Sequence, residues 1–191
     1  MEQKKKFKGR QYLRAPVYDD VLYECDDYVL SGRCMNISEG GLLLSDLGLV
    51  PENKEFKVIL PLTQYPDFAK LSIGRILMLE RDHVEKEIVK VPVRVERSFE
   101  GMNEVQKILL TSIGASFKKL EHFEREFVRA YVETYTKNIV YLLSLFENND
   151  RKKSNNTLIR KVADLLGYDS EMKISLLRLK ILHDYQSLES L

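Results

Sequence analysis

Hydrophobic residues follow two different periods along the chain. From residue 17 to about 117 they alternate with polar ones in short runs, the two-residue period of strands with one buried face. Val89-Lys90-Val91-Pro92-Val93-Arg94-Val95-Glu96 is the clearest case. Its four valines share a face, and Pro92, which has no N–H to donate, predicts an edge or bulged position. Residues 21–25, 30–35, 42–44, 56–60, 71–80 and 106–117 read the same way. Gly32, Gly40-Gly41, Pro51-Glu52-Asn53 and Gly101-Met102-Asn103 separate the runs. Six or seven strands at this spacing, with no helical segment between them, predict an antiparallel barrel or sandwich.

After Lys119 the period lengthens. Phe123, Phe127, Tyr131, Tyr135, Asn138, Leu142 and Leu145 recur at steps of three and four, predicting a long helix over 121–147. A polar linker follows at 148–156. A second helix over 157–166 runs into Gly167, a residue suited to a left-handed C-cap. Asp169 or Ser170 is expected to cap a third helix over 171–186, with Met172, Leu176, Leu179 and Leu182 as its apolar stripe. Phe123, Phe127 and Tyr131 suffice to close one end of a barrel. Ile139, Leu142, Leu143, Leu145 and Phe146 then need a second cover, which the two shorter helices can supply within one chain or across a dimer. Three parts result: a basic arm over 1–15, a β-domain over 16–120 and a helical extension over 121–191.

Composition narrows the class. The chain has 191 residues, 44% hydrophobic and 31% charged, enough apolar material for a core. Thirty Lys and Arg against 29 Asp and Glu leave a net charge of +1, so no global field marks a nucleic-acid coat or a membrane-surface protein. The N-terminal segment, 1–14, departs from this balance: Lys4, Lys5, Lys6, Lys8, Arg10 and Arg14 face Glu2 alone. A basic end on a mildly acidic body points to an anionic ligand. No apolar run follows these lysines, and the longest mainly apolar stretch, 139–146, is far shorter than the roughly 20 residues of a membrane span. A soluble, cytoplasmic protein is expected.

The chemistry-bearing residues do not form a catalytic set. Cys25 and Cys34 are too few for a disulfide framework or a zinc site, and His83, His122 and His183 are scattered. Nucleophile-elbow and phosphate-loop glycine patterns are absent. Neither an enzyme nor a metal site is expected.

Two short segments carry the functional signal. Arg10-Gln11-Tyr12-Leu13-Arg14 is an RxxxR ahead of the first expected strand. Asn36-Ile37-Ser38-Glu39-Gly40-Gly41 is an NxSxxG between the second and third. In this order, around this β-pattern, the pair resembles the PilZ domain of bacterial cyclic di-GMP receptors. Ile113-Gly114-Ala115-Ser116-Phe117 is similar to that family's last barrel strand, and the likeness extends over about residues 7–135. The resemblance implies a six-stranded antiparallel PilZ-type β-barrel, here followed by a long helix and two shorter ones. It also implies a non-catalytic cyclic di-GMP receptor whose ligand is held by Arg10, Arg14, Asn36, Ser38 and Gly41.

The residue types suit that ligand. A guanidinium grips phosphate bidentately, pairs with guanine O6 and N7, or stacks on a purine. The amide of Asn36 can bond a guanine edge or a phosphate oxygen; the family's motif also admits Asp, a stronger acceptor for guanine N1–H and N2–H. Ser38 can donate to phosphate, and Gly41 permits a tight turn and close backbone approach. The arm is expected to close over the nucleotide against the Asn36–Gly41 turn, changing a surface offered to a partner or the packing of the helical extension. Two other readings use the same residues: an oligonucleotide-binding barrel, with the basic arm on phosphates, and a ligand-free interaction module. The helices leave a homo-oligomer open, and the downstream partner is unassigned. A weaker likeness, to helices of HD-type phosphohydrolases, rests on Val162-Ala163-Asp164-Leu165-Leu166-Gly167-Tyr168 and His183-Asp184; one His-Asp pair cannot complete a metal site.

Overall fold

The computed structural model describes residues 12–17, 19–99, 112–147 and 155–189. Arg10, the 101–103 turn, the 106–111 part of the last expected strand and the 148–154 part of the linker lie outside them. Among the described residues seven strands form one antiparallel sheet: β1 (Arg14–Pro16), β2 (Asp20–Cys25), β3 (Tyr28–Ser38), β4 (Gly41–Ser45), β5 (Glu55–Thr63), β6 (Lys86–Phe99) and β7 (Ser112–Phe117). Six of them close a barrel in the ring order β3-β2-β5-β6-β7-β4, with β4 returning to pair β3, and β1 is an extra strand on β3. The helices are α1 (Ile73–Met78), α2 (His122–Glu147), α3 (Asn155–Leu165) and α4 (Ile174–Glu189).

The alternation does what its period requires. Tyr23, Ile37, Leu44, Val58, Leu60, Val89, Val91, Val93 and Ile113 are all fully buried inside the barrel, each large aliphatic side chain contributing roughly 1.5–3 kcal/mol by leaving water. Tyr23 keeps its polar end satisfied there, donating to the Leu49 carbonyl at 2.7 Å and accepting from the Leu49 N–H at 3.2 Å. Pro92 pairs with Lys57 of β5. On its other side β7 has already ended, its last partner being Val93 opposite Phe117. The Pro92 carbonyl on that side accepts from the Lys118 N–H at 2.9 Å. The missing donor therefore falls at a local edge, as the sequence required.

Three expectations are corrected. Residues 71–80 form no strand: a 3-10 turn at Phe68–Lys70 leads into α1. The cap residue of α1, Ser72, accepts from the Arg75 N–H at 3.3 Å. Over so short a run the two periods are hard to tell apart, and the Ser72 cap decides for a helix. Second, Arg14 does not precede the first strand but opens it, and its neighbours Ala15 and Pro16 complete β1. Third, α4 buries Leu177, Ile181 and Leu188, whereas Leu176, Leu179 and Leu182 are exposed. That helix is apolar nearly all round, so periodicity alone does not choose its inner face. It also starts at Ile174 rather than 171, because Asp169 spends its carboxylate on the Glu171 N–H in a separate turn.

Of the residues expected to close the barrel end, Tyr131 is buried but Phe123 is half exposed, and Val128 takes its place. The second cover lies within the chain. α2 packs on α3 and α4 as well as on β1, β3, β5 and β6, so Ile139, Leu142 and Phe146 face Leu158, Ile159, Val162, Leu177 and Ile181 in one buried cluster. Asn138, completely buried, pins the β5–α1 connection to α2: its Oδ1 accepts from the Phe68 N–H at 3.0 Å and its Nδ2 donates to the Pro66 carbonyl at 2.9 Å. Gly167 adopts φ 88 and Tyr168 N–H reaches back to the Ala163 carbonyl at 2.9 Å, the left-handed cap the sequence signalled.

Candidate functional site

β3 is long enough to serve two neighbours along one edge. Its first half pairs with β2 and its last residues with β1, in the register Arg14 opposite Ser38, Ala15 opposite Ile37 and Pro16 opposite Asn36. Directly opposed residues of antiparallel strands carry their side chains on the same face. Ala15, Ile37, Leu42 and Ala115 are buried and point inward. Arg14, Asn36 and Ser38 therefore share the outer face. Two motifs well separated in the sequence become neighbours in one sheet.

The second motif is a hairpin. Ser38 ends β3, Gly41 begins β4, and Glu39-Gly40 is the loop between them. Ser38 is only 8% exposed, and its hydroxyl donates to the Gly41 carbonyl at 3.1 Å and so staples the turn. Gly41 has a reason of its own: a Cβ there would stand 2.1 Å from the Ala115 carbonyl oxygen, so the absent side chain is what lets β7 pair with β4. A β-bulge at Met35, between Cys34 and Asn36, shifts the β3–β4 register just before the motif. Bulges re-aim the side chains that follow them, here Asn36. Buried Cys34 donates to the Asn36 carbonyl at 3.5 Å, and burial holds its thiol up to about 12.

Sequence reasoning overlooked Tyr12, inside the first motif. A Cβ on Gly40 would lie 2.9 Å from its ring and 4.0 Å from the Ser38 Oγ. The ring thus seats on the glycine of the second motif, beside the staple. The signal available was Gly40 itself, a small residue where an aromatic can approach. The helical extension also reaches this region. Tyr131 of α2 donates to the Pro16 carbonyl at 2.6 Å, and the charge of Glu39 in the turn adds to that of Glu133 in holding the Arg129 guanidinium above its usual range. Arg14 and its neighbours thus stand on a strand paired with β3 and packed on by both α2 and α4. Arg10 lies outside the described residues.

A cleft of about 530 Å³ lies elsewhere, lined in part by Asp19, Tyr65, Arg81, His83, Lys86 and Tyr131. Lys86 and Asp19 pair across it at 2.8 Å. None of Arg14, Asn36, Ser38 or Gly41 lines it. Among the helices, the Asp184 carboxylate accepts from the Tyr168 hydroxyl at 2.9 Å, and Tyr168 meets the Tyr135 hydroxyl at 3.3 Å. Asp184 thereby joins α4 to α2. Among the described residues no three His, Cys, Asp or Glu gather as metal ligands, and no helix is long and apolar enough to cross a membrane.

No family model and no curated protein matches the chain. Solved structures similar to it include the Bacillus subtilis inhibitor of motility (MotI/DgrA), at 14% identity and a TM-score of 0.44 over 66% of this chain and 50% of that one. The PilZ domain of YcgR from Escherichia coli, with c-di-GMP, is similar at 12% identity and a TM-score of 0.39 over 75% of this chain and 98% of that one. The PilZ domain of CeSA from a cellulose-synthesizing bacterium is similar at 13% identity and a TM-score of 0.37, over 63% of this chain and 94% of that one. The chain spans half the length of the Bacillus protein.

Proposed function

We propose that this chain is a non-catalytic receptor for cyclic di-GMP, bound on the outer face of β1 and β3 by Arg10, Arg14, Asn36 and the Ser38–Gly41 turn, and acting in the cytoplasm. One observation carries the reading: the β1–β3 register that sets Arg14 opposite Ser38 and Pro16 opposite Asn36. A cyclic dinucleotide presents phosphates and guanine edges together. A guanidinium and an amide on one face of a rigid sheet meet both needs. The Ser38 hydroxyl and Gly41 serve the ligand by fixing the turn, and Tyr12 tethers the first motif to it. Binding at Arg14 loads β1, and β1 is the strand that α2 grips through Tyr131. The helical extension is therefore where occupancy is read, by a protein partner or by a second copy of the chain.

Calorimetric titration with cyclic di-GMP tests this directly. Arg10→Ala and Arg14→Ala should each weaken binding about ten- to a hundredfold, the size of a lost charge-assisted contact. Asn36→Ala should cost less, since a neutral amide contact is smaller. Asn36→Asp should tighten binding if the residue faces guanine N1 and N2, and loosen it against phosphate. Salt-sensitive binding of any oligonucleotide in preference to the cyclic dinucleotide would replace this reading with a nucleic-acid barrel. Both arginine variants binding within threefold of the parent would remove the site.

A further inference from the structure

β6 places a further arginine at the far side of the same outer face. The row of directly opposed residues that begins at Pro16 and Asn36 continues through Leu43 of β4 and Gly114 of β7 to Arg97 of β6. All of these share one face, about three strand spacings, or about 14 Å, separating Asn36 from Arg97. Arg97 does not stand away from the sheet. A Cβ on Gly114 would lie 3.3 Å from its Cγ and 3.7 Å from its Nε, so its stem runs over the bare backbone of Gly114, across β7 toward β4.

Two features build this arrangement. A bulge between Val95 and Arg97 makes Glu96 the extra residue and turns Arg97 onto the Gly114 row. Glu96 stays on this face one row away, its carboxylate accepting at 2.6 Å from the hydroxyl of Ser116, which lies opposite Gly41. The bulge at Met35 turns Asn36 onto the same row from the other side. Arg94 makes a contrast on the same strand. It opposes Glu55 of β5 and feels that carboxylate, which lies below its usual range chiefly through Lys118 and partly through Arg94. On its other side Arg94 opposes Ser116 of β7, in the row next to that of Arg97, so the pair separates position on the face from charge alone.

We infer that Arg97 is a specificity residue of the proposed nucleotide site, reading the O6 and N7 acceptors of a guanine laid across Leu43 and Gly114. This rests on the cyclic di-GMP reading above. Arginine is fitted to that edge because its fork donates twice in one plane, and adenine, which carries an amino donor where guanine carries O6, offers it one acceptor fewer. Lysine keeps the charge but loses the fork.

The test is calorimetric titration of the full chain with cyclic di-GMP and cyclic di-AMP. Arg97→Ala should weaken cyclic di-GMP about tenfold or more and shrink the preference over cyclic di-AMP; Arg97→Lys should recover affinity only in part. Gly114→Val, which keeps the charge but pushes the stem off β7, should also weaken binding. Arg94→Ala, the charge-matched control, should stay within threefold. A thermal melt checks that each variant is folded. The inference is overturned if Arg97→Ala stays within threefold, if it weakens both nucleotides equally, or if Arg94→Ala loses as much. Failure of the underlying reading looks different: the parent would not bind, or Arg14→Ala would have no effect. An intact Arg14 effect with a silent Arg97→Ala would sink this inference alone.

Discussion

At Gly41 a methyl group would sit 2.1 Å from the Ala115 carbonyl oxygen and 2.9 Å from the Ser116 Cα, both backbone atoms of a paired strand. Nothing flexible is there to yield. Gly41→Ala should therefore destabilise the protein by about 1–3 kcal/mol, as overpacking does, read as a lower urea midpoint. An unchanged midpoint would show that β4 and β7 slide apart freely. Cys34 makes a different demand. Its thiol is held up to about 12 by burial against an ordinary value of 9.0. Between those values the unfolded chain releases a proton that the folded one keeps, so stability is complete below about 9 and falls as pH rises toward 12. Burial raises Tyr65 as well, with the same sign. Urea midpoints should drop as pH rises from about 9 toward 12, and Cys34→Ala, though less stable at neutral pH, should show a shallower drop. A parallel decline in both would place the alkaline loss elsewhere.

Elements differ in how far local spacing reveals them. β2, β3, β5 and β6 announce themselves by alternation, and α2 and α3 by the longer period, because each is long enough to show its repeat. β1 does not: its Arg-Ala-Pro contains a single inward side chain, and only pairing with β3 makes it a strand. That strand is held from both sides, by the β3 ladder and by the Tyr131 hydroxyl on the Pro16 carbonyl. Tyr131→Phe keeps the ring and deletes the donor, at a cost of about 0.5–1.5 kcal/mol. Amide exchange at Arg14, Ala15 and Val17 should then quicken while β5 and β6 keep their protection, and cyclic di-GMP should bind more weakly. Unchanged exchange at those amides would mean that the Tyr131 hydroxyl is not a support of the strand, which β3 and the packing of α2 and α4 would hold without it.

At the scale of the molecule, barrel and helices share one continuous apolar interior, running from Tyr23 and Val58 through Tyr131 and Ile139 to Val162 and Ile181. Removing residues 148–191 would uncover the Ile139, Leu142 and Phe146 face of α2. The truncated chain should self-associate or bind a hydrophobic dye, seen by sedimentation and fluorescence, while its barrel still takes up cyclic di-GMP; a well-behaved monomer without dye binding would show that the cover is dispensable. What the sequence by itself determined is local. The change of period near residue 119 divided barrel from helices, Gly167 marked a helix end, and the two motifs named a ligand class. The first two are set by neighbours in the chain, where side-chain spacing and backbone preference act directly; the ligand class is a proposal that the motifs carry by resemblance alone. The tertiary structure decided what depends on distant partners: that Arg14 joins a strand opposite Ser38, that Tyr12 seats on Gly40, that α4 turns Leu177 and Ile181 inward rather than Leu176 and Leu179, and that Arg97 crosses Gly114. A strand edge or an apolar helix accepts several partners with similar local energy, and only closure of the whole core selects one.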